Sequence, residues 1–403
     1  MIKAASEHGY RAVTARQLSA LAGVSTRTLY TLFPAGKQDC FLSAYDAVMQ
    51  RTAQRVAAAY GSEREQRVRL ACALDALARL VAEEPQAARL VLVEVFAAGP
   101  VALEHAQHAH RLFESMVNLD FRRAGGGAPP PPLLIKGIVA GIVRVAGVWL
   151  LNGRTEELPT LSEELLEWVL SYRSPPTAAF APPSRSSRQA TLIATPPESP
   201  TCDEDHDTRI LRAAAQLAAQ DGCASLSAAR IAATAGVSWS SFDKRLRNPE
   251  QCMLEALDLL IGDALARATA AGRRGEDWPS CVCHALQALT LQAAGDEVFA
   301  RLAFIEAFAL GSAGAELRGR LLGQFADTLW QRAPASQRPT RLAAEASVGA
   351  VWGIIHDYVV RGSAAQLPRI ARHLSYMVLA PAIGSTAATH ALSARTSRAR
   401  ASS

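Results

Sequence analysis

Thr26, Arg27, Thr28, Tyr30 and Thr31 fall in one short run near the start of the chain. Hydroxyls of this kind reach base edges or phosphate oxygens, a guanidinium pairs twice with guanine, and a phenol donates to a phosphate. Such a set needs a rigid stage, and the neighbouring residues supply one. Thr14-Ala15-Arg16-Gln17 reads as a capping box, in which the Thr14 hydroxyl accepts the third backbone N–H and Gln17 reaches back. A helix to Ala22 is expected to follow, then Gly23 for a left-handed turn, then Ser25 as the cap of a second helix ending near Phe33. Leu18, Leu21, Val24, Leu29 and Phe33 are expected to lock the two helices across each other. Helix, glycine turn and helix is the arrangement that lays its second helix in a DNA major groove.

The same framework recurs further along. A shift of 213 places Gly9 on Gly222, Ala15 on Ala228, and Ala22-Gly23-Val24-Ser25 on Ala235-Gly236-Val237-Ser238. A shift of 212 pairs Arg89, Glu94, Phe96, Gly99 and Phe113 with Arg301, Glu306, Phe308, Gly311 and Phe325. A shift of 209 then pairs Gly153, Leu158 and Pro159 with Gly362, Leu367 and Pro368. The drift falls where the first copy carries GGGAPPPP, a place that tolerates insertion. The chain therefore reads as a tandem duplication.

The segment TARQLSALAGVSTRTLYTLFPAGKQDCFLSAYD resembles the DNA-binding domain of the tetracycline-repressor (TetR/AcrR) family of bacterial transcription regulators. The resemblance implies an all-α fold in which three N-terminal helices read DNA and six more form a ligand pocket and a dimer interface. By position it makes Thr26, Arg27 and Thr28 base or phosphate contacts, Tyr30 a phosphate contact and Lys37 a backbone anchor, and Thr14 completes the set for the first head. The PAG segment before Lys37 is one residue longer than the family's usual turn. Helix 1 looks short, because Arg209 to Ala213 of the second copy have no partner before Met1. The second copy, SLSAARIAATAGVSWSSFDKRLRNPEQCML, keeps the framework and changes the reading surface: Trp239, Asp243 and Glu250 stand where the first has Thr26, Tyr30 and Lys37. Ser240, Ser241, Lys244, Arg245 and Arg247 are its candidate DNA contacts. Acidic groups at phosphate-facing positions oppose them, so this head either reads a different half-site or is a relic of the framework.

Beyond the heads, apolar residues recur at three- and four-residue spacing, and breaks at Gly61, Pro85, Pro100, Gly125 and Pro159 divide the first unit into about nine helices. Glu94, Phe96 and Trp149, with Glu306 and Phe308 in the second unit, are the candidate ligand-binding residues. The alternative for Glu94 and Glu306 is an ion pair with Arg89 and Arg301. His105, His108 and His110 give two ligands within reach of one metal, too few for a site. Cys281 and Cys283 point to different sides of a helix and read as packing. Neither cofactor nor metal is expected, and the absence of a Gly-rich phosphate loop and of a nucleophile elbow argues against an enzyme.

With 403 residues, 49% of them hydrophobic and 20% charged, the chain is a multi-domain globular protein rather than a disordered one. The net charge of +5 is mild, but residues 1–60 hold seven basic against three acidic groups while residues 208–268 hold seven against six, so the first head is the more basic. The expected organisation is a helix-turn-helix domain at 1–50, a helical regulatory domain at 51–172, a Pro/Ser-rich linker at 173–207, a divergent helix-turn-helix domain at 208–262, a second regulatory domain at 263–383 and a disordered tail at 384–403. The apolar residues 133–151, interrupted by Lys136 and Arg144, are expected to form a buried helix and not a membrane span. Seven cysteines without a CxxC pair or a leader favour a reduced cytoplasm. The expected partners are an operator in double-stranded DNA, a small apolar effector and a second copy of the fold, met within the chain as a pseudo-dimer or in a homodimer. The expected function is a transcriptional repressor released by that effector. Its rival is a ligand- or partner-binding regulator whose second head no longer holds DNA.

Overall fold

The computed structural model describes residues 1–61, 65–123, 130–172, 206–238 and 248–401. Among them there is no strand, in keeping with the helical periodicity. Contacts divide the chain into two compact units, the first made of Met1–Pro175 with Thr340–Ala350, the second of Pro176–Pro339 with Val351–Ser403.

The first unit opens with α1 (Ile2–Ala12), α2 (Ala15–Ala22) and α3 (Thr26–Leu32). Val13, Leu18 and Leu29 bury together with Ala4, and Phe33 and Cys40 pack against them, so the head has a core of its own. Leu21 and Val24, expected in that core, are 56% and 37% exposed. The crossing of two such short helices has room for one apolar row, which Leu18 and Leu29 already fill.

The body follows as α4 (Lys37–Tyr60), α5 (Gln66–Glu83), α6 (Pro85–Leu92), α7 (Pro100–Arg123), α8 (Pro132–Leu151) and α9 (Ser162–Leu170), with 3-10 turns at Glu94–Ala98 and Thr155–Leu161. Proline opens α6, α7 and α8 at a position where its missing N–H costs nothing. A second core cluster draws Ala5 and Tyr10 from α1, Phe41, Tyr45 and Val48 from α4, and Leu90, Val95 and Ala102 from beyond. Tyr10 meets Phe41 edge-on at 4.9 Å. Head and body therefore share this second cluster, and the expected boundary at 50/51 falls inside α4, a single helix about 36 Å long. Leu134, Ile135, Ile138, Val139 and Val145 of α8 are buried. By length and composition alone α8 is apolar enough to cross a membrane.

The rest of the chain runs through α10 (His206–Asp221), α11 (Ala228–Ala235), α12 (Pro249–Gly272), α13 (Trp278–Gly295), α14 (Glu297–Arg301), α15 (Ala307–Ala309), α16 (Gly311–Arg332), α17 (Arg341–Val360, its residues up to Ala350 counted with the first unit), α18 (Leu367–Ile383) and α19 (Ser385–Ala401). A π-helical turn at Leu302–Glu306 joins α14 to α15. Lengths repeat between the units: 24 residues in α4 and α12, 18 in α5 and α13, 20 in α8 and α17. Positive-φ glycines repeat too, at Gly9 and Gly222, Gly23 and Gly236, Gly99 and Gly311, and Gly153 and Gly362. α1 has 11 residues against 16 in α10, the shortness expected of it.

Two further expectations are corrected. The boundary at 262/263 also lies inside one helix, α12. The tail after residue 383 is helical, with Ala388 and Leu392 buried four residues apart and the Tyr376 hydroxyl 2.8 Å from Ser385 Oγ. Its Ala-rich composition, which read as low complexity, is also a strong helix former once one face has something to cover. The linker lies outside the described residues up to 205, and α10 begins at His206.

Candidate functional site

In the head, Thr14 caps α2 as a closed capping box: Gln17 N–H donates to Thr14 Oγ1 at 3.2 Å, and Thr14 N–H donates to Gln17 Oε1 at 2.8 Å. Gly23 then turns the chain with φ 67°. Ser25 Oγ accepts from Thr28 N–H at 3.0 Å and lies 2.8 Å from Thr28 Oγ1, and Thr31 Oγ1 donates to Arg27 O at 3.0 Å. The hydroxyls of Thr14, Thr28 and Thr31 are thus engaged locally, and each keeps further capacity for a partner from outside.

Thr26, Arg27, Thr28 and Tyr30 are all exposed on α3. The Tyr30 ring lies against Gly36, where an added Cβ would stand 2.8 Å from it. Arg27 makes no ion pair among the described residues, and neither does Arg16 on the first turn of α2, a cation that the sequence reading did not select. An exposed helix carrying a guanidinium without an ion pair among the described residues, together with hydroxyls and a phenol, is suited to reading a polyanion.

Lys37 differs from its expectation. Its ammonium donates to Tyr10 O at 3.1 Å and Arg11 O at 3.4 Å and lies 4.3 Å above the Tyr10 ring, and burial lowers its pKa. Its partners are the last carbonyls of α1, which attract a cation as a phosphate would. The second head's Trp239, Ser240, Ser241, Asp243, Lys244, Arg245 and Arg247 lie outside the described residues.

The first unit's body encloses a cavity of about 190 Å³. Tyr45, Val48, Met49, Thr52 and Val56 of α4 line it with residues of α5 to α9, among them Leu74, Ala87, Leu92, Phe113, Val143 and Leu165. Arg51 and Glu84 at its rim bind each other at 2.9 Å, both partly exposed. Beside it, Asp120 is fully buried and accepts from the Tyr60 hydroxyl and Gln66 Nε2, both at 2.8 Å, and from Arg69 Nε at 3.0 Å. Burial, reinforced by Asp120, raises the Tyr60 pKa, whereas hydrogen bonding to Asp120 raises that of Arg69.

Glu94, Phe96 and Trp149 do not line this cavity. Glu94 is buried, accepts Tyr10 N–H at 2.7 Å and faces Arg89 Nε at 3.3 Å, which is the ion-pair alternative together with a backbone bond that spacing could not show. Phe96 packs against the core shared by head and body. Trp149 lies under the Arg154 guanidinium at 5.8 Å. In the second unit Glu306 accepts Cys223 N–H at 2.8 Å and faces Arg301 at 3.9 Å, while Phe308 meets His356 at a tilt, 4.8 Å between rings, and lies under Arg318. These five positions fold the chain; they do not meet in one pocket. His105 pairs with Asp46 at 2.8 Å, His110 lines the cavity, and no metal-binding cluster is found among the described residues.

A capped helix-turn-helix with an exposed second helix, carried on an all-helical body, is the arrangement of a DNA-binding regulator. Residues 2–44, the first three helices and the start of α4, match the family model "Bacterial regulatory proteins, tetR family". Among solved structures the chain is similar to the fatty acid degradation regulator FadR from Bacillus halodurans, with 18% identity and a TM-score of 0.38 over 44% of this chain and 97% of that one. No curated protein matches the chain significantly.

Proposed function

We propose that the chain is a cytoplasmic one-component repressor that holds DNA with its first head and lets go when a small apolar molecule enters the cavity of the first unit. The observation that carries this reading is α4. Its first residue, Lys37, grips the end of α1, and Tyr45 to Tyr60 of the same helix line the cavity. Whatever tilts the lower half of a rigid helix tilts the upper half with it. The effector must bind the released conformation better than the DNA-competent one, since equal binding shifts nothing. The free cysteines Cys40, Cys72, Cys223, Cys252, Cys281 and Cys283 fit a reducing compartment.

We further propose that the two similar units pair within one chain. In support, Thr340–Ala350 belongs to the compact first unit, where Glu345 meets the half-buried Arg144 at 3.1 Å and Ser347 accepts Trp168 Nε1–H at 3.0 Å. Footprinting on the DNA upstream of the chain's own gene tests the repressor reading. A protected site that fades on addition of n-decanol is expected, and protection that is absent altogether would leave the rival partner-binding role. Light scattering tests the pairing, with one chain per particle expected and an obligate dimer of chains counting against it.

A further inference from the structure

The two units differ most where they should be most alike. Glu94 and Glu306 each accept the backbone N–H that follows the positive-φ glycine at or after the unit's first helix, and so fix a common register: each stands tenth counting from the start of the preceding helix, at Pro85 or Glu297. In that register Ala87 and Leu92, which line the first unit's cavity, correspond to Phe299 and Phe304. On α8 and α17, Gly153 and Gly362, with φ 67° and 66°, fix the register in the same way and match the cavity-lining Val143 with Trp352.

The three aromatic side chains form one stack. Phe299 meets Phe304 edge-on at 5.9 Å, Phe304 lies 4.2 Å from Trp352, and all three are buried. Each ring system covers about 150–250 Å² where the first unit has Ala, Leu and Val. Phe304 is a buried residue of the π-helical turn at Leu302–Glu306, where the first unit has no such turn among the described residues. Among the described residues, a separate hollow of the second unit beside Gly272 and Trp278 holds about 10 Å³, against about 190 Å³ for the cavity of the first. The first cavity also has a defined chemistry. Arg51 and Glu84 neutralise each other at its rim, the Thr52 hydroxyl donates to Val48 O, and that of Tyr60 donates to Asp120. A carboxylate or ammonium entering it would lose its water without meeting an unpaired opposite charge.

We infer that each chain takes up one effector, an uncharged apolar molecule, in the first unit only, and that the Phe299-Phe304-Trp352 stack keeps the second unit closed. This rests on the effector reading above and adds stoichiometry, location and charge to it. The test is calorimetric titration of the full chain with n-decanol, n-decanoate and n-decylammonium. One decanol per chain is expected, with both charged probes at least tenfold weaker. Ala87→Phe combined with Leu92→Phe should abolish uptake, as should Ala78→Phe, which blocks the same cavity from α5 should the double variant fail to fold. Phe304→Leu with Trp352→Val should raise the stoichiometry to two. Two decanol molecules per wild-type chain, or decanoate as the tightest probe, overturns the inference and leaves the effector reading standing. No uptake of any of the three probes removes the cavity as a site and overturns both.

Discussion

The backbone N–H of Tyr10 donates to Glu94 Oε2 at 2.7 Å across 84 positions of sequence. Gly9, with φ 75° and ψ 147°, bends α1 so that this N–H leaves the helix and faces the body. Glu94 stands two residues beyond α6, whose Ala87, Ala88, Val91 and Leu92 line the cavity. The bond is therefore a second connection between cavity and head, parallel to α4. Cys223 N–H and Glu306 Oε2 repeat it at 2.8 Å in the second unit.

Replacing Glu94 separates the acceptor from the charge. Glu94→Ala leaves the Tyr10 N–H and Arg89 without their buried partner and should cost about 3 kcal/mol. Glu94→Gln keeps an acceptor and should cost about half as much. Urea unfolding followed by circular dichroism reads both, and equal losses would assign the whole effect to the carboxylate charge. Neither variant should abolish ligand uptake, because Glu94 lies outside the cavity.

On the DNA side, Arg27→Ala should weaken operator binding by about 1 to 3 kcal/mol and relax preference at one base pair. Tyr30→Phe removes the phenolic hydroxyl and keeps the ring that packs on Gly36, so its effect should be smaller and nearly independent of salt. Gel-shift titrations at several salt concentrations measure both. Unchanged affinity in both variants would take α3 out of the interface.

Much of the head could be read in advance because its determinants are local. Thr14 with Gln17, Gly23, and Ser25 with Thr28 lie within a few residues of one another, and their side-chain chemistry determines the turn whatever surrounds it. The all-helical class followed in the same way from repeated spacing. The cavity could not be read, since it depends on Ala87 and Val143 being small beside neighbours that only folding brings together. Glu94 stood out by its recurrence in the second copy, yet its partner is a backbone N–H, which no residue type announces. The last helix was missed because Ala388 and Leu392 are ordinary residues until α18 gives them something to bury against.

Asp120 is the residue on which the base of the cavity depends. It is fully buried and takes hydrogen bonds from Tyr60, Gln66 and Arg69. Asp120→Ala leaves Arg69 as a buried charge without a counterion and should cost about 3 to 5 kcal/mol. The double variant Asp120→Ala with Arg69→Met removes both charges and should recover a large part of that loss. Thermal unfolding of the three variants decides it, and a double variant no more stable than the single one would mean that the two side chains do not act as a pair.

His373 on α18 gives the chain a pH dependence of known sign. Burial, with Arg372 beside it, pushes its imidazole down to about 4. In the unfolded chain the group titrates near about 6.5. Between these values the unfolded state binds a proton that the native state declines, so the stability contributed by the neutral ring is complete above about pH 6.5 and is lost as pH falls toward 4. A shift of this size corresponds to about 3 kcal/mol. His373→Phe fills the same site without titrating. Carboxylates common to both proteins cancel in the comparison, so wild type minus variant should decline by about that amount between pH 7 and pH 4 in parallel urea unfolding series. A difference that stays flat across this window would place the imidazole in contact with water.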